Sequence, residues 1–218
     1  MSANDIGNSP KWHRRPEARP EEILEAAAQV FMEQGYAATK LEEVARRAGV
    51  SKGTLYLYFD SKEALFKEMV RARLVVGVAA AEERFAQHTG TARQALEELI
   101  RAWWQSLDKS GMCRLSQLVT SEMHKFPELG KFYHDEVTRR ARRLVGAIIE
   151  RGVARGEFRA VPYDYGTRGL PGLVLHALQT LSFFTQFDPT IPSREQVLEG
   201  ILDLYFNGLL ARPGEGAA

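Results

Sequence analysis

The segment LEEVARRAGVSKGTLYLYF, residues 41–59, constrains the fold more than any other part of the sequence. Ala45 is small enough for two helices to cross closely, and Gly49, four residues on, suits a turn that needs φ > 0. Val50 and Leu55 are placed to fill the angle between the helices. The segment therefore predicts two short helices joined by a tight turn, a helix-turn-helix. A plain helical hairpin with its aromatic side chains in the core is the alternative.

Apolar residues recur at the spacing of an α-helix along most of the chain, and no stretch sustains the period-two alternation of a β-strand. Helix-start signals punctuate the pattern: Pro20 before acidic residues, Thr39 with Glu42 as a capping box, Ser51, and Pro127. The sequence therefore predicts an all-α protein of about nine helices.

Composition favours a soluble protein of the cytoplasm. The 218 residues are 44% hydrophobic and 26% charged, as in ordinary globular proteins. The longest apolar run, residues 74–81, is far too short to cross a membrane, and the polar N-terminus gives no secretory signal. Cys113 is the only cysteine and cannot form an internal disulfide, which favours a reducing compartment.

The sequence gives no sign of a metal site, a cofactor site or a catalytic centre. No pair of His, Cys or carboxylate residues has a recognised metal-site spacing. Nucleophile-elbow, phosphate-loop and zinc-protease motifs are also missing. We therefore expect no metal, no cofactor and no enzymatic activity.

The formal net charge of +1 does not by itself indicate nucleic acid, so a DNA-binding surface must come from local arrangement. Residues 11–19 hold four basic residues against one acidic residue, a net charge of +3. Residues 36–62 hold five against three, a net charge of +2. Both patches lie in or beside the predicted helix-turn-helix.

When the second helix of the motif buries Leu55, its polar and aromatic residues point outward. The N-terminal part of such a helix reads base edges in the major groove, and its free N–H groups can bind a phosphate. Tyr56 and Tyr58 can add hydroxyl contacts, and Lys62, at the start of the next helix, can reach the flanking backbone. Phe59 is expected in the core.

Residues 20–66 resemble the DNA-binding domain of the TetR/AcrR family of bacterial regulators. The resemblance is carried by ILEAAAQVFMEQGYAATKLEEVARRAGVSKGTLYLYFDSKEALF. It implies a homodimer that binds operator DNA and carries a C-terminal helical domain for ligand binding and dimerisation. The segment SEMHKFPELGKFYHDEV, residues 121–137, resembles an AefR-like subgroup of C-terminal domains. The candidate DNA contacts are Thr39, Lys40, Ser51, Lys52, Gly53, Thr54, Tyr56, Tyr58 and Lys62.

We expect four parts along the chain. Residues 1–19 form a flexible basic arm, residues 20–66 the helix-turn-helix domain, residues 67–213 the effector-binding and dimerisation domain, and residues 214–218 a tail. The run Arg139, Arg140, Arg142 and Arg143 is interpreted as a solvated helix face, with a second nucleic-acid site as the alternative.

Large adaptable side chains are frequent in the C-terminal two-thirds, where they either fill the core or line an apolar pocket. Trp103 shares a stripe with Leu96 and Ile100, so of the two adjacent tryptophans it is the one expected to face the pocket. His176 lies in an apolar helix, where a histidine that serves the core is the alternative. The candidate pocket residues are Trp103, Trp104, Leu107, Met112, Leu115, Met123, Phe126, Phe132, Tyr133 and His176.

The last two helices carry apolar residues on more than one face, so a second face must be buried against something else. A four-helix dimer interface would bury it, and a helix fully buried within one chain is the alternative. The candidate interface residues are Leu178, Leu181, Leu198, Ile201, Leu202, Tyr205 and Leu209.

The predicted function is a cytoplasmic, nucleoid-associated transcriptional regulator that binds double-stranded operator DNA. The resemblance implies a repressor, released from a palindromic operator by a small apolar or amphipathic effector. An effector-independent DNA-binding protein and an enzyme that uses the C-terminal cavity are the alternatives.

Overall fold

The computed structural model describes residues 19–109 and 112–209, except the side chains of residues 108, 109, 112 and 209. The described residues form nine helices, which confirms the predicted all-α architecture. The helices are α1 Arg19–Ala38, α2 Leu41–Arg47, α3 Lys52–Tyr58, α4 Lys62–Val70 continuing through Arg71–Val75 and Val76–Ala86, α5 Ala92–Lys109, α6 Met112–Glu122, α7 Pro127–Tyr133 continuing through His134–Thr138 and Arg139–Ala154, α8 Tyr163–Phe184, and α9 Arg194–Leu209.

Two of the predicted segments fall on residues outside this description. The basic arm lies there apart from Arg19, which begins α1, and the tail at 214–218 lies there entirely. Within the described part of the chain, no helix is both long and apolar enough to span a bilayer.

The helix-turn-helix forms as the sequence predicts. Gly49 has φ 66°, and Ala45 is buried where α2 meets α3. The Ser51 hydroxyl caps α3 by accepting a hydrogen bond of 3.0 Å from the Thr54 amide. Leu55 is fully buried, and the left-handed glycine lets the chain reverse without strain.

The predicted N-cap of α2 is wrong. The helix begins at Leu41 with Lys40 as its N-cap, and no side chain caps it. Thr39 instead donates its hydroxyl to the Gly35 carbonyl at 2.7 Å and is only 3% exposed. The reason is the break at Gly35, whose φ of 78° and ψ of 165° end the regular part of α1 and leave a carbonyl free for Thr39.

A first apolar core joins α1 to α4. Phe66 packs edge-to-face against both Phe31 and Tyr36, with ring centroids 5.1 and 5.0 Å apart. The core continues past the predicted domain boundary at residue 66, because Met69, Val70 and Leu74 belong to it. That boundary falls inside α4, so one continuous helix belongs to both predicted domains.

Part of α6 and α7 also packs against this first core, which the sequence analysis did not predict. Leu115 is buried in it, and Met123, Phe126 and Phe132 pack around it. The Phe126 ring lies 4.7 Å from the Tyr36 ring. These four residues were expected to line an effector pocket. They instead join the helix-turn-helix domain to the C-terminal domain, because periodicity shows that a face is buried but not against which neighbour.

A second core is built from α5, α7, α8 and α9. Six residues predicted for the dimer interface are buried in it, and their placement corrects that prediction. Each is 9% exposed or less within one chain, so none presents a side chain to a second copy. They are Leu178, Leu181, Leu198, Ile201, Leu202 and Tyr205. The side chain of Leu209 lies outside the described residues.

Two π-helical stretches lie between the two cores. One is Arg71–Val75 in α4, the other is His134–Thr138 in α7, and the two pack against each other. Insertions of this kind are frequent at functional sites because they offset a helix by one residue. Here they mark the level at which α4 and α7 leave the first core and enter the second.

Candidate functional site

The exposed face of α3 is the first candidate site. Tyr56 and Tyr58 are 42% and 40% exposed, and Ser51, Lys52 and Gly53 are exposed beside them. Thr54 is half-buried, and its hydroxyl lies 2.9 Å from that of Ser51. Phe59 is buried, as predicted. The helix therefore presents hydroxyl groups, an ammonium group and a glycine backbone to solvent.

Lys52 is held by an acidic neighbour on α2. Its ammonium group lies 2.5 Å from a carboxylate oxygen of Glu42, and it sits 5.8 Å from the centre of the Tyr56 ring. The hydrogen bond with Glu42 raises the pKa of Lys52 and lowers the pKa of Glu42. Both groups are exposed, so a phosphate could compete for the lysine.

The two other lysines predicted to contact DNA, Lys40 and Lys62, differ in their exposure. Lys40 is exposed at the N-cap position of α2. Lys62 is half-buried, and its ammonium group donates to the carbonyls of Tyr36, Ala37 and Thr39 at 2.8, 3.0 and 3.2 Å. A lysine ammonium has three N–H bonds, so Lys62 satisfies the carbonyls left free where α1 ends.

Leu57 is an exposed residue of α3 that the sequence analysis did not select. It is 83% exposed, although it is a large apolar side chain. Its position two residues after the buried Leu55 is a sequence signal that could have revealed it, because two residues span about 200° around a helix.

The second candidate site is a cavity of about 310 Å³ enclosed by α4, α5, α7 and α8. Small residues along these helices make room for the cavity, and they include Gly77, Ala81, Ala102 and Ala141. Its remaining wall is largely aliphatic, and Trp103 contributes an aromatic surface. A cavity of this kind suits a molecule with an apolar body.

The charged and titratable residues Arg84, His88 and Glu98 line the cavity, with His88 Nε2 and Glu98 Oε1 3.6 Å apart. Ser106, Ser116 and Tyr133 are the other polar residues of the wall. Burial raises the pKa of the Tyr133 hydroxyl, while a hydrogen bond with Ser116 acts in the opposite direction.

Of the predicted pocket residues, the structure places Trp103, Leu107 and Tyr133 on the cavity wall. Trp104 is buried in the second core, and His176 is exposed on α8. The side chain of Met112 lies outside the described residues. The cavity was only partly predictable, because most of its wall is alanine, glycine and aliphatic residues that carry no distinctive signal.

An apolar surface on α8 and α9 remains exposed, in contrast to the buried residues predicted for dimerisation. Leu173, Phe183 and Phe184 lie on α8, Phe187 lies in the turn that follows α8, and Leu204 on α9 is 69% exposed. We call these five residues the α8–α9 surface. The Phe183 ring contacts those of Phe184 and Phe187, and clustered exposed apolar residues are typical of protein interfaces.

Three of the four arginines in the run on α7 form ion pairs within the chain. Arg140 pairs with Glu82 on α4 at 2.6 Å, Arg139 pairs with Asp135 at 3.4 Å, and Arg142 pairs with Asp164. These pairs favour the interpretation of a solvated, ion-paired face over that of a second nucleic-acid site.

The chain matches two described protein families along most of its length. Residues 23–69 match the family described as bacterial regulatory proteins, tetR family. Residues 86–183 match a tetracyclin repressor-like C-terminal domain. The more specific AefR-like assignment of the C-terminal part stays a prediction.

A characterised relative and two solved structures agree with these matches. The HTH-type transcriptional repressor KstR2 of Mycolicibacterium smegmatis is 31% identical over 156 residues, which are 69% of this chain and 73% of that protein. The fatty acid degradation regulator FadR from Bacillus halodurans has a TM-score of 0.74 at 20% identity, over 95% of this chain and 100% of that one.

FadR from Bacillus subtilis, solved in complex with stearoyl-CoA, has a TM-score of 0.68 at 22% identity, over 86% of this chain and 98% of that one. These two structures share the fold, and the repressor shares the sequence pattern. The chain therefore belongs to the TetR family of bacterial regulatory proteins.

Proposed function

We propose that this protein is a homodimeric repressor that binds a palindromic operator on the chromosome and releases it when a small effector occupies the α4–α5–α7–α8 cavity. The effector has an apolar body and a polar end. The observation that carries the proposal is α4, which belongs to the first core at one end and lines the cavity at the other.

The exposed face of α3 supports the DNA-binding part of the proposal. Its start carries Ser51, Lys52 and Gly53, and such a helix start reads bases and binds phosphate in helix-turn-helix proteins. Tyr56 and Tyr58 flank it with hydroxyl groups. Two copies of α3 in a dimer would enter successive major grooves about 34–36 Å apart.

The composition of the cavity supports the effector class. Aliphatic and small residues form most of the wall, and Trp103 offers a broad ring face. The polar end of an effector would lie at Arg84, His88 and Glu98, the charged part of the wall. The Bacillus subtilis FadR structure, which holds stearoyl-CoA, is a precedent for an apolar ligand on this fold.

Three residues that line the cavity also pack against the core of the DNA-binding domain. Leu74 lies in the π-helical stretch of α4, where it both lines the cavity and belongs to the first core. Tyr133 and Val137 do the same from the α7 side, since they line the cavity and pack against the first core. An effector that displaces these residues would change the orientation of α1–α3, and thus the spacing of two α3 helices in a dimer.

The test begins with the selection of binding sequences from random duplex DNA by the purified protein. Long-chain fatty acids, stearoyl-CoA and androstenedione are then screened for release of the selected operator. We expect at least one to lower operator affinity in the wild-type protein and to have little effect on Ala102→Phe, whose ring would fill the cavity. Tyr165→Phe, at an exposed side chain outside both the cavity wall and the α8–α9 surface, serves as the control that keeps the response.

The outcomes separate the alternatives. A protein that selects no DNA sequence would contradict the repressor function. Operator binding that none of the probes, nor a wider set of apolar compounds, can weaken would favour the effector-independent alternative. Equal responses in wild type and Ala102→Phe would place the effector in another site.

A further inference from the structure

The outward direction of α3 is occupied by two residues one turn apart, Gly53 and Leu57. Taking the fully buried Leu55 as the inner direction, Leu57 lies about 160° from it on one side and Gly53 about 160° on the other. Thr54 and Tyr56 lie about 100° from Leu55, one on each side of the outward face formed by Gly53 and Leu57. Leu57 therefore points away from the core, and it is the most exposed large apolar side chain among the described residues.

Neither Leu57 nor Gly53 is needed for packing within the chain. Leu57 is 83% exposed, so it contributes little to the core. A Cβ atom at Gly53 would have only the Ser51 hydroxyl near it, at an ordinary distance of 3.8 Å, so packing does not require a glycine. A missing side chain next to an exposed leucine leaves room for another surface to approach the helix backbone closely.

The groups around Leu57 identify that surface. On the helix surface the neighbours of Leu57 are Thr54, Tyr56 and Tyr58, whose hydroxyl groups are suited to phosphates and base edges. In the major groove the one strongly apolar group is the C5 methyl of thymine, which distinguishes that base from the other three. A leucine at the centre of a polar recognition surface matches this methyl group.

We propose that Leu57 is a specificity-determining residue that contacts the C5 methyl group of a thymine near the centre of each operator half-site. The inference rests on the proposed binding of DNA by α3. Gly53 allows the helix to approach closely enough for this contact, and the flanking polar residues fix the position of the helix on the phosphates.

The test replaces the thymines of the selected operator one at a time with uracil, which lacks only the C5 methyl group. Each replacement is made in both half-sites, and affinity is measured by fluorescence anisotropy at low ionic strength, where weak variants still bind. For wild type we expect one position at which affinity falls about fourfold for each methyl group removed. For Leu57→Ala the same replacement should have no effect.

Two further variants keep the interpretation clear. Leu57→Met keeps an apolar side chain and should retain the sensitivity to uracil. Val76→Ala shortens another exposed apolar side chain, far from α3 on the second half of α4, and should behave as wild type. Leu57 is exposed, so Leu57→Ala should melt at the wild-type temperature.

The proposal is overturned if every uracil replacement has the same effect on wild type and Leu57→Ala, or if no thymine position responds to uracil. Either result can occur with strong, sequence-specific operator binding, so failure of this inference is distinct from failure of the repressor function. A Leu57→Ala protein with altered assembly and unaltered DNA binding would make Leu57 a protein contact.

Discussion

Lys62 shows how one side chain can support the DNA-binding domain from behind its reading surface. Its three hydrogen bonds to Tyr36, Ala37 and Thr39 fix the chain between α1 and α2, and the ammonium group lies 4.7 Å from the centre of the Tyr36 ring. We expect Lys62→Met to lower the free energy of unfolding by about 2 kcal/mol, because hydrogen bonds from a charged donor are lost. Thermal melting and denaturant titration measure the loss.

Lys40→Met is the matched control for Lys62. Lys40 is exposed, so its removal should leave stability near wild type and reduce the salt slope of DNA binding by about one unit. Lys62→Met should leave the slope nearly unchanged. The opposite result for Lys62, a flatter slope with unchanged stability, would restore the phosphate contact that the sequence predicts.

Tyr56 offers a test of the polar flank of α3. The side chain is 42% exposed, so loss of its hydroxyl should not affect folding. Tyr56→Phe is expected to weaken operator binding by about 1 kcal/mol through a lost hydrogen bond. Tyr165→Phe removes the hydroxyl of another exposed tyrosine, on α8, and should leave DNA affinity unchanged. Equal affinities for Tyr56→Phe and wild type would remove Tyr56 from the contact surface.

At the scale of elements, the end of α1 depends on Gly35. Its φ of 78° and ψ of 165° lie in a region that only glycine occupies readily. A Cβ atom there would also lie 3.2 Å from Glu122 Oε1 on α6. Gly35→Ala should therefore destabilise the protein by roughly 1–3 kcal/mol.

Gly53→Ala provides the contrast to Gly35→Ala. Gly53 is in α3, and a Cβ atom there meets no close neighbour, so this change should not lower the melting temperature. DNA affinity should fall, because the added methyl group lies on the reading surface. Equal melting temperatures for the two alanine variants would contradict the strain assigned to Gly35.

The elements that sequence predicted well depend on local signals. The positive φ of Gly49, the cap at Ser51 and the small Ala45 at a helix crossing act within a few residues, and each was recognisable in isolation. The wrong cap at Thr39 is also a local effect. The Thr39 hydroxyl donates to the Gly35 carbonyl, four residues earlier, and does not cap the backbone N–H groups at the start of α2.

The neighbours of each apolar face could not be predicted in the same way. Phe126 and Phe132 are partly buried, but against the first core rather than around the cavity. Tyr205 was expected at a dimer interface, yet it is buried and donates its hydroxyl to the Gly166 carbonyl at 2.5 Å. Helical periodicity determines which face is apolar, and only tertiary packing determines what covers it.

At the scale of the whole molecule, the α8–α9 surface is the proposed dimer interface. Leu204 and Phe183 are exposed on adjacent helices that pack together, so two copies could form an isologous four-helix contact. The double variant Phe183→Glu with Leu204→Glu should be monomeric by light scattering. Operator affinity should fall with it, because one α3 then binds without its partner.

Tyr205→Phe is the control for this interface. It removes the buried hydrogen bond to Gly166 and should lower the melting temperature while the protein remains dimeric. A double glutamate variant that stays dimeric would move the interface away from the α8–α9 surface.

In the proposed mechanism, the cavity and the DNA-binding face are coupled through α4 and α7. Trp103 lines the cavity, so tryptophan quenching in a Trp104→Phe variant can report the affinity of the compound found in the screen. That affinity is measured with and without saturating operator DNA. Linkage requires operator DNA to lower the affinity of the protein for the compound by the same factor by which the compound lowers its affinity for operator DNA. We expect equal factors well above one, whereas a compound whose affinity is indifferent to operator DNA would show that the cavity and the DNA-binding face are not coupled.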